Sequence, residues 1–193
     1  MVSGGLRGEA KEMNVRIISG KYGGRKIEAP NTSRTHPMSE RARGALFNSI
    51  AGELPGAMVL DAFAGTGALG LEAISRGAAH ATFIERDRIA QKVLAKNIEL
   101  LGVEKTTTLI RASVAGWYDT MENRDYDIIF ADPPYHDPQF STVSRLFGLL
   151  KPGGLMILSH PGRGEEPTNS GIVVVDNRSY GNAHLTFYRR EST

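Results

Sequence analysis

From Gly56 onward the chain alternates short apolar runs with stretches of helical periodicity, and that alternation admits few folds. A strand followed by a helix brings the chain back to start the next strand in the same direction. Repeated βα units therefore build a mostly parallel sheet with helices on its faces. The pattern predicts strands at Ala57 to Phe63, Ala81 to Glu85, Thr107 to Arg111, Asp127 to Ala131, Gly154 to His160, Gly171 to Asp176 and Ala183 to Tyr188. Helices are expected near Ala68 to Arg76, Ile89 to Leu101, Ser113 to Met121 and Ser141 to Leu150, the last stopping at Lys151-Pro152-Gly153-Gly154. The final two strands have no helix between them. Joined through residues Asn177 to Asn182, they read as an antiparallel hairpin closing a seven-stranded mixed sheet.

Before Gly56, Val15 to Gly20 and Lys26 to Glu28 flank Lys21-Tyr22-Gly23-Gly24-Arg25, the signature of a small basic β-hairpin. Ser39 is a candidate N-cap for a helix to Ile50, whose apolar face is Ala42, Leu46, Phe47 and Ile50. Met1 to Glu12 is patternless and reads as a disordered leader or an added extension, with Met13 fitting as a natural start. The expected division is a leader over 1–12, a hairpin appendage over 13–38 and one α/β domain over 39–193.

A chain of 193 residues, 40% of them hydrophobic, can bury a self-sufficient core. The absence of cysteine excludes disulfides and thiolate metal sites and fits a reducing cytoplasm. No run approaches the roughly 18 apolar residues of a membrane span, and the N-terminus lacks the apolar stretch of a signal peptide. The net charge of +2 hides an asymmetry: residues 1 to 50 carry nine Lys/Arg against four Asp/Glu, +5, leaving −3 for the rest. A basic N-terminal part suits phosphate contacts, although charge alone is equally met by a solvated face.

Val59-Leu60-Asp61-Ala62-Phe63-Ala64-Gly65-Thr66-Gly67-Ala68-Leu69-Gly70 is a strand running through a glycine-rich turn into a helix, the setting in which a nucleotide-like ligand meets exposed backbone donors. Phe63, Ala64, Gly65 and Gly67 would face that ligand. Gly65-x-Gly67-x-x-Gly70 also satisfies the dinucleotide fingerprint, which leaves a dehydrogenase open on this motif alone. Asp61 argues otherwise, because an acid at the strand end repels a pyrophosphate but suits the cationic aminoacyl half of S-adenosylmethionine. Glu85, 24 residues later, is placed to accept ribose hydroxyls in either case. Arg86 and Ser113 follow the next strands and are expected to line the adenine pocket. Gly70 has a bland reading as helix packing, Glu85 as a surface acid and Asp61 as a cap of the following turn.

Asp132-Pro133-Pro134-Tyr135 ends the apolar run Tyr126 to Ala131 with a stiff turn carrying one charged acceptor, carbonyls without neighbouring N–H donors and a flat ring. Alone, it is as well explained as a proline-rich strand cap. It resembles the tetrapeptide with which many methyltransferases hold an exocyclic amino nitrogen of a nucleobase. The chain as a whole resembles the RsmD family of bacterial ribosomal RNA methyltransferases from about Arg16 to Arg189. The likeness rests on Arg16-Ile17-Ile18-Ser19-Gly20 with Gly24-Arg25-Lys26, on Arg41-x-Arg43 before Ala45-Leu46-Phe47-Asn48, on Asp61 to Ala73 and on Asp132 to Tyr135. It departs from the family at His36-Pro37-Met38, usually Arg-Pro-Thr, and at Gly44, usually Glu.

That resemblance implies a Rossmann-like class I S-adenosylmethionine-dependent fold. It also implies methyl transfer to guanine N2 in a loop of 16S ribosomal RNA, within an assembling small subunit; nothing in the sequence demands more than a monomer. Asp132 and the Pro133 carbonyl would accept the amine's two N–H groups, Pro134 would stiffen the turn and Tyr135 would stack on the base. Arg16, Lys21, Arg25, Lys26 and Arg41 would contact phosphates. No metal is expected, since His36, His80, His136, His160 and His184 show no ligand spacing. Trp117 reads as core. The competing readings are an adenine-N6 DNA methyltransferase, for which the chain has little room for a sequence-reading domain, a glutamine-amide methyltransferase, and a catalytically silent RNA-binding assembly protein.

Overall fold

The computed structural model describes residues 13–29, 38–121, 125–164 and 166–192, with only the backbone of Met13 and Asn14. The leader over 1–12 and the His36-Pro37 departure lie outside the described residues. An antiparallel hairpin of β1 (Met13–Arg16) and β2 (Lys26–Ala29) precedes α1 (Glu40–Ser49). There follow β3 (Met58–Asp61), α2 (Ala68–Ser75), β4 (His80–Glu85), α3 (Arg88–Leu101), β5 (Thr107–Arg111), α4 (Val114–Tyr118) and β6 (Tyr126–Ala131). The chain continues with α5 (Phe140–Leu146), β7 (Leu150–His160), β8 (Ile172–Tyr180) and β9 (Ala183–Arg190). The seven-stranded sheet has the order β5-β4-β3-β6-β7-β9-β8. Strands β3 to β7 are mutually parallel, and β9 runs antiparallel to both β7 and β8. The order reverses at β3, so the carboxyl ends of β3 and β6 meet at the switch point where α/β sheets bind ligands.

Alternation along the strands sorts the core into two layers. Val59, Ile128, Phe130, Leu155, Ile157, Leu185 and Phe187 face α1, α2 and α3. Leu60, Ile129, Ala131, Met156, Leu158 and Tyr188 face α4 and α5. Trp117 is buried in the second layer. Ser39 caps α1 as expected, its Oγ accepting the Ala42 amide at 3.1 Å.

The helix stops before Lys151 as expected, but two strand bounds are corrected, β7 beginning at Leu150 and β8 running on to Tyr180. Lys151-Pro152-Gly153-Gly154 lies inside β7, where the pairing skips from Tyr126–Leu150 to Ile128–Leu155. At that bulge a proline lacks no partner. Asn177 to Ser179, read as connection, belong to β8, because their polar side chains bond across to β9: Thr186 Oγ1 donates to Asn177 Oδ1 at 3.0 Å, and Ser179 Oγ lies 2.9 Å from His184 Nδ1.

The basic hairpin shares the main core. Ile17 and Ile27 are buried in the first layer, and α2 is consequently covered on both sides, with every residue from Leu69 to Ser75 buried. Its two polar residues fasten the hairpin. Glu72 accepts the amides of Ile18 and Ser19 at 2.9 and 3.2 Å and the Arg76 Nε at 3.0 Å. Ser75 Oγ donates to the Ser19 carbonyl at 2.6 Å and accepts the Tyr22 amide at 3.0 Å. Removing the Glu72 carboxylate would strand two backbone donors, each costing about 1–3 kcal/mol when buried. Gly44 on α1 faces Ile18 Cδ1 at the hairpin's inner side. Among the described residues, no helix is long and apolar enough to cross a membrane.

Candidate active site

Three acids converge at the carboxyl edge of the sheet. Asp61 ends β3, Glu85 ends β4 and Asp132 follows β6, with Asp61 in register with Phe83 on one side and Phe130 on the other. The turn after Asp61 stays bonded to both neighbouring strands, Ala62 N–H to the Phe130 carbonyl at 3.0 Å and Ala64 N–H to the Ile84 carbonyl at 2.9 Å. The glycine loop thus begins as an extension of the sheet.

Asp61 is buried. Its Oδ2 accepts the Gly70 amide at 3.0 Å near the start of α2, so the cap reading of this residue holds for one oxygen. Its Oδ1 is buried with no hydrogen-bond partner. Burial pushes its carboxyl well above the ordinary carboxylate range, against the Gly70 hydrogen bond, and the charges of Asp132 and Glu85 raise it further. A buried acceptor among like charges is expensive unless a cation completes it.

Glu85 bridges the loop and the next helix: its Oε2 accepts the Gly65 amide at 2.7 Å and its Oε1 the Asp87 amide at 2.8 Å. Each oxygen keeps a second lone pair. The glycines divide. Gly65, at φ 54°, has open space where a Cβ would stand. A Cβ on Gly67 would lie 2.2 Å from Leu94 Cδ1, and one on Gly70 2.3 Å from the Phe83 ring, so both serve packing and only Gly65 borders the opening. Phe63 is half-buried against the second core layer, Ala64 is buried and Arg86 is exposed. Ser113 caps α4, its Oγ accepting the Gly116 amide at 3.1 Å.

The Asp-Pro-Pro-Tyr turn stands beside this opening. Asp132 is partly buried, and desolvation raises its carboxyl to about 6, a hydrogen bond with the Ser159 side chain opposing the shift. Pro133 is buried, the Pro134 carbonyl accepts the Asp137 amide at 2.9 Å, and the Tyr135 ring is 37% exposed, leaving surface for a stacking partner. The Tyr135 hydroxyl lies 2.8 Å from Ser159 Oγ.

The basic residues flank the same region through β2. Asn97 is fully buried on α3. Its Oδ1 accepts the Glu28 amide at 2.8 Å, and its Nδ2 donates to the carbonyls of Glu28 and of Thr66 in the glycine loop, at 2.9 and 3.0 Å. Lys26 and Arg41 are exposed, and Lys21 lies over the Tyr22 ring at 5.5 Å. Arg16 pairs with Glu40, and Arg25 donates to the Leu100 carbonyl at 2.6 Å. The second arginine of Arg41-x-Arg43 is buried, donating to the Arg16 carbonyl at 2.8 Å.

Sequence reasoning missed Asn97, Glu72 and Ser159. Asn97 interrupts the apolar stripe of Ala90, Leu94, Ile98 and Leu101, and Glu72 is the lone charge in α2; a polar residue on a core face was the available signal. A shallow depression of about 310 Å3, lined by Pro55, Gly56, Asp127 and Pro152, lies at the opposite edge of the sheet from the acids.

Three carboxylates, an unpartnered buried oxygen and an open glycine fit a cationic nucleoside-like ligand and disfavour a pyrophosphate. Known proteins agree with that chemistry. Residues 15–189 match the family model described as conserved hypothetical protein 95. The chain is 40% identical to ribosomal RNA small subunit methyltransferase D of Buchnera aphidicola over 73% of its own length and 72% of the relative's. It is 35% identical to the Haemophilus influenzae protein of the same name over 70% of both. Its fold is similar to the solved structure of yhhF from Escherichia coli, with a TM-score of 0.81 and 30% identity, covering 94% of this chain and all of the other.

Proposed function

This chain belongs to the RsmD family of ribosomal RNA small subunit methyltransferases, and on that premise we propose how its site works. The reaction is transfer of a methyl group from S-adenosylmethionine to the exocyclic N2 of a guanine in 16S ribosomal RNA. The carrying observation is the buried, unpartnered Asp61 Oδ1 beside Asp132 at the sheet's switch point.

S-adenosylmethionine supplies an electrophilic methyl group on a positively charged sulfur. Asp61 offers its free oxygen to the cationic aminoacyl end, Gly65 lets the loop backbone approach, and Glu85 uses its remaining lone pairs for the ribose. Phe63 and Ala64 shape that wall, Gly67 lets the loop pack on Leu94 behind it, and Arg86 and Ser113 lie beyond it.

A guanine amine is a poor nucleophile because its lone pair is delocalised into the ring. Asp132 and the Pro133 carbonyl would accept its two N–H groups, localise that lone pair and stabilise the positive charge that develops on nitrogen as its bond to the methyl carbon forms and the carbon–sulfur bond breaks, the donor leaving as a neutral thioether and the surplus proton on nitrogen passing to solvent. Tyr135 stacks on the base. The rigid prolines hold these acceptors in place, so little reorganisation is left to the reaction step. A paired base cannot enter such a turn, which favours a loop nucleotide turned out of its stack. Arg16, Lys21, Arg25, Lys26 and Arg41 hold the phosphates of an assembling small subunit, and the protein acts in the cytoplasm as a monomer.

Asp132→Ala tests the reading. With radiolabelled cofactor on naked 16S RNA and on immature subunits, methyl transfer falls by about 10²-fold or more while cofactor affinity is largely kept. Full activity would remove Asp132 from the mechanism. Mapping the modified nucleotide in RNA from a deletion strain identifies the target.

A further inference from the structure

Ser159 is 2% exposed near the carboxyl end of β7. Strands β6 and β7 are in register at Ala131–Leu158, so Asp132 and Ser159 are the next residues on adjacent parallel strands. Ser159 Oγ stands 2.8 Å from the Tyr135 hydroxyl, and from its place beside Asp132 the same hydroxyl opposes the rise that burial imposes on that carboxyl. The two reactive ends of the turn therefore share one buried hydroxyl.

The directions of these bonds follow from the groups. An ionised carboxylate only accepts, so the single Ser159 proton goes to Asp132. Tyr135 must then donate its own proton to Ser159 Oγ. Such a directed chain polarises each member in the sense that favours negative charge on Asp132. It also holds the Tyr135 ring by its far end, leaving a face of the ring for the base.

We infer that Ser159 is a positioning residue for methyl transfer, orienting the Asp132 carboxylate and anchoring the Tyr135 ring through one hydroxyl. This rests on the reading of Asp132 as the amine's acceptor. Ser159 itself touches neither the base nor the cofactor in this scheme. The other titratable groups that bear on Asp132 are Asp61 from β3 and Tyr135 from its own turn.

The test compares Ser159→Ala, Ser159→Thr and Tyr135→Phe in kcat against pH, with cofactor affinity measured in parallel. Ser159→Ala is expected to lower kcat by about 10- to 100-fold, the cost of a misplaced reacting group, and to move the acidic limb upward by about one pH unit. Cofactor affinity stays within about twofold, because the groups that hold it are intact. Ser159→Thr, which keeps the hydroxyl, restores the position of the limb. Tyr135→Phe, which removes only the outer member of the chain, moves the limb upward by less than Ser159→Ala does; a larger shift than in Ser159→Ala would put the orienting role on Tyr135 and overturn the inference. An unmoved acidic limb in Ser159→Ala overturns the inference. So does equal loss of activity in the alanine and threonine variants, which would mark a packing role. The underlying reading fails separately, if Asp132→Ala stays active.

Discussion

Asp132 raises the proton affinity of Asp61 from the neighbouring strand, a like-charge relationship at the one edge of the sheet where the backbone leaves the core. Two carboxyls kept above their ordinary range make a site that is uncomfortable when vacant and relieved by a cation.

Cofactor affinity should therefore depend on pH. A cation held against Asp61 favours its ionised form and lowers its pKa, so binding releases protons and tightens as pH rises. The ligand-free protein shows the opposite trend. Both folded-state carboxyls are raised above the unfolded value of 3.8, so the stability they contribute is present at low pH and lost as pH rises, for Asp132 through about 6. Asp61→Asn should weaken binding, flatten its pH dependence and raise the ligand-free melting temperature by roughly 2–4 °C, the effect of about 1 kcal/mol at this size. Calorimetric titration between pH 5 and 8 decides it: an affinity that does not change across that range excludes Asp61 from contact with the cation.

Gly65→Ala and Gly70→Ala should fail in different ways. A methyl on Gly70 meets the Phe83 ring at 2.3 Å, an overpacking expected to cost about 1–3 kcal/mol of stability. Gly65 has open space and a φ of 54°, so alanine there costs about 1–2 kcal/mol of backbone strain but intrudes on the opening. Thermal melts and cofactor titrations separate the two: the melt should move more for Gly70→Ala and the affinity more for Gly65→Ala. The reverse order would assign the cofactor wall to the wrong glycine.

Lys21→Glu with Lys26→Glu should weaken RNA binding without loosening the hairpin, since neither side chain anchors it. Each lost phosphate contact reduces the slope of log affinity against log salt by about 0.7–0.9. Arg25 is a poorer probe, because its guanidinium also binds the end of α3. Filter binding at several salt concentrations reads the slope, and an unchanged one means that these lysines face solvent in the complex.

The alternation of apolar runs with helical stretches is a direct record of βα geometry, and β5 lies where the pattern puts it, from Thr107 to Arg111. Local chemistry was equally readable at Ser39, whose side chain caps the helix it precedes. Partnership between distant segments was not. Pro152 and Gly153 look like an ending because the rule for breakers is local, whereas a bulge opposite β6 lets the strand run through them. Ile17 and Ile27 look like one face of a detached hairpin until Glu72 and Ser75 supply the bonds that dock it on α2. In the site, Asp61, Glu85 and Asp132 were visible as acids at strand ends, but the shared hydroxyl of Ser159 depends on a register that no single segment carries.

Asn97 ties the amide and carbonyl of Glu28 to the carbonyl of Thr66, so the N-terminal ribbon and the glycine loop are braced by one carboxamide. The boundary drawn between an accessory and a minimal catalytic unit consequently has no physical seam. Trimming the chain to begin at Ser39 would bare the outer side of α2, leave the Glu72 carboxylate without its amide donors and unbrace the loop. What reads as a detachable basic arm is part of the masonry that holds the glycine loop in place.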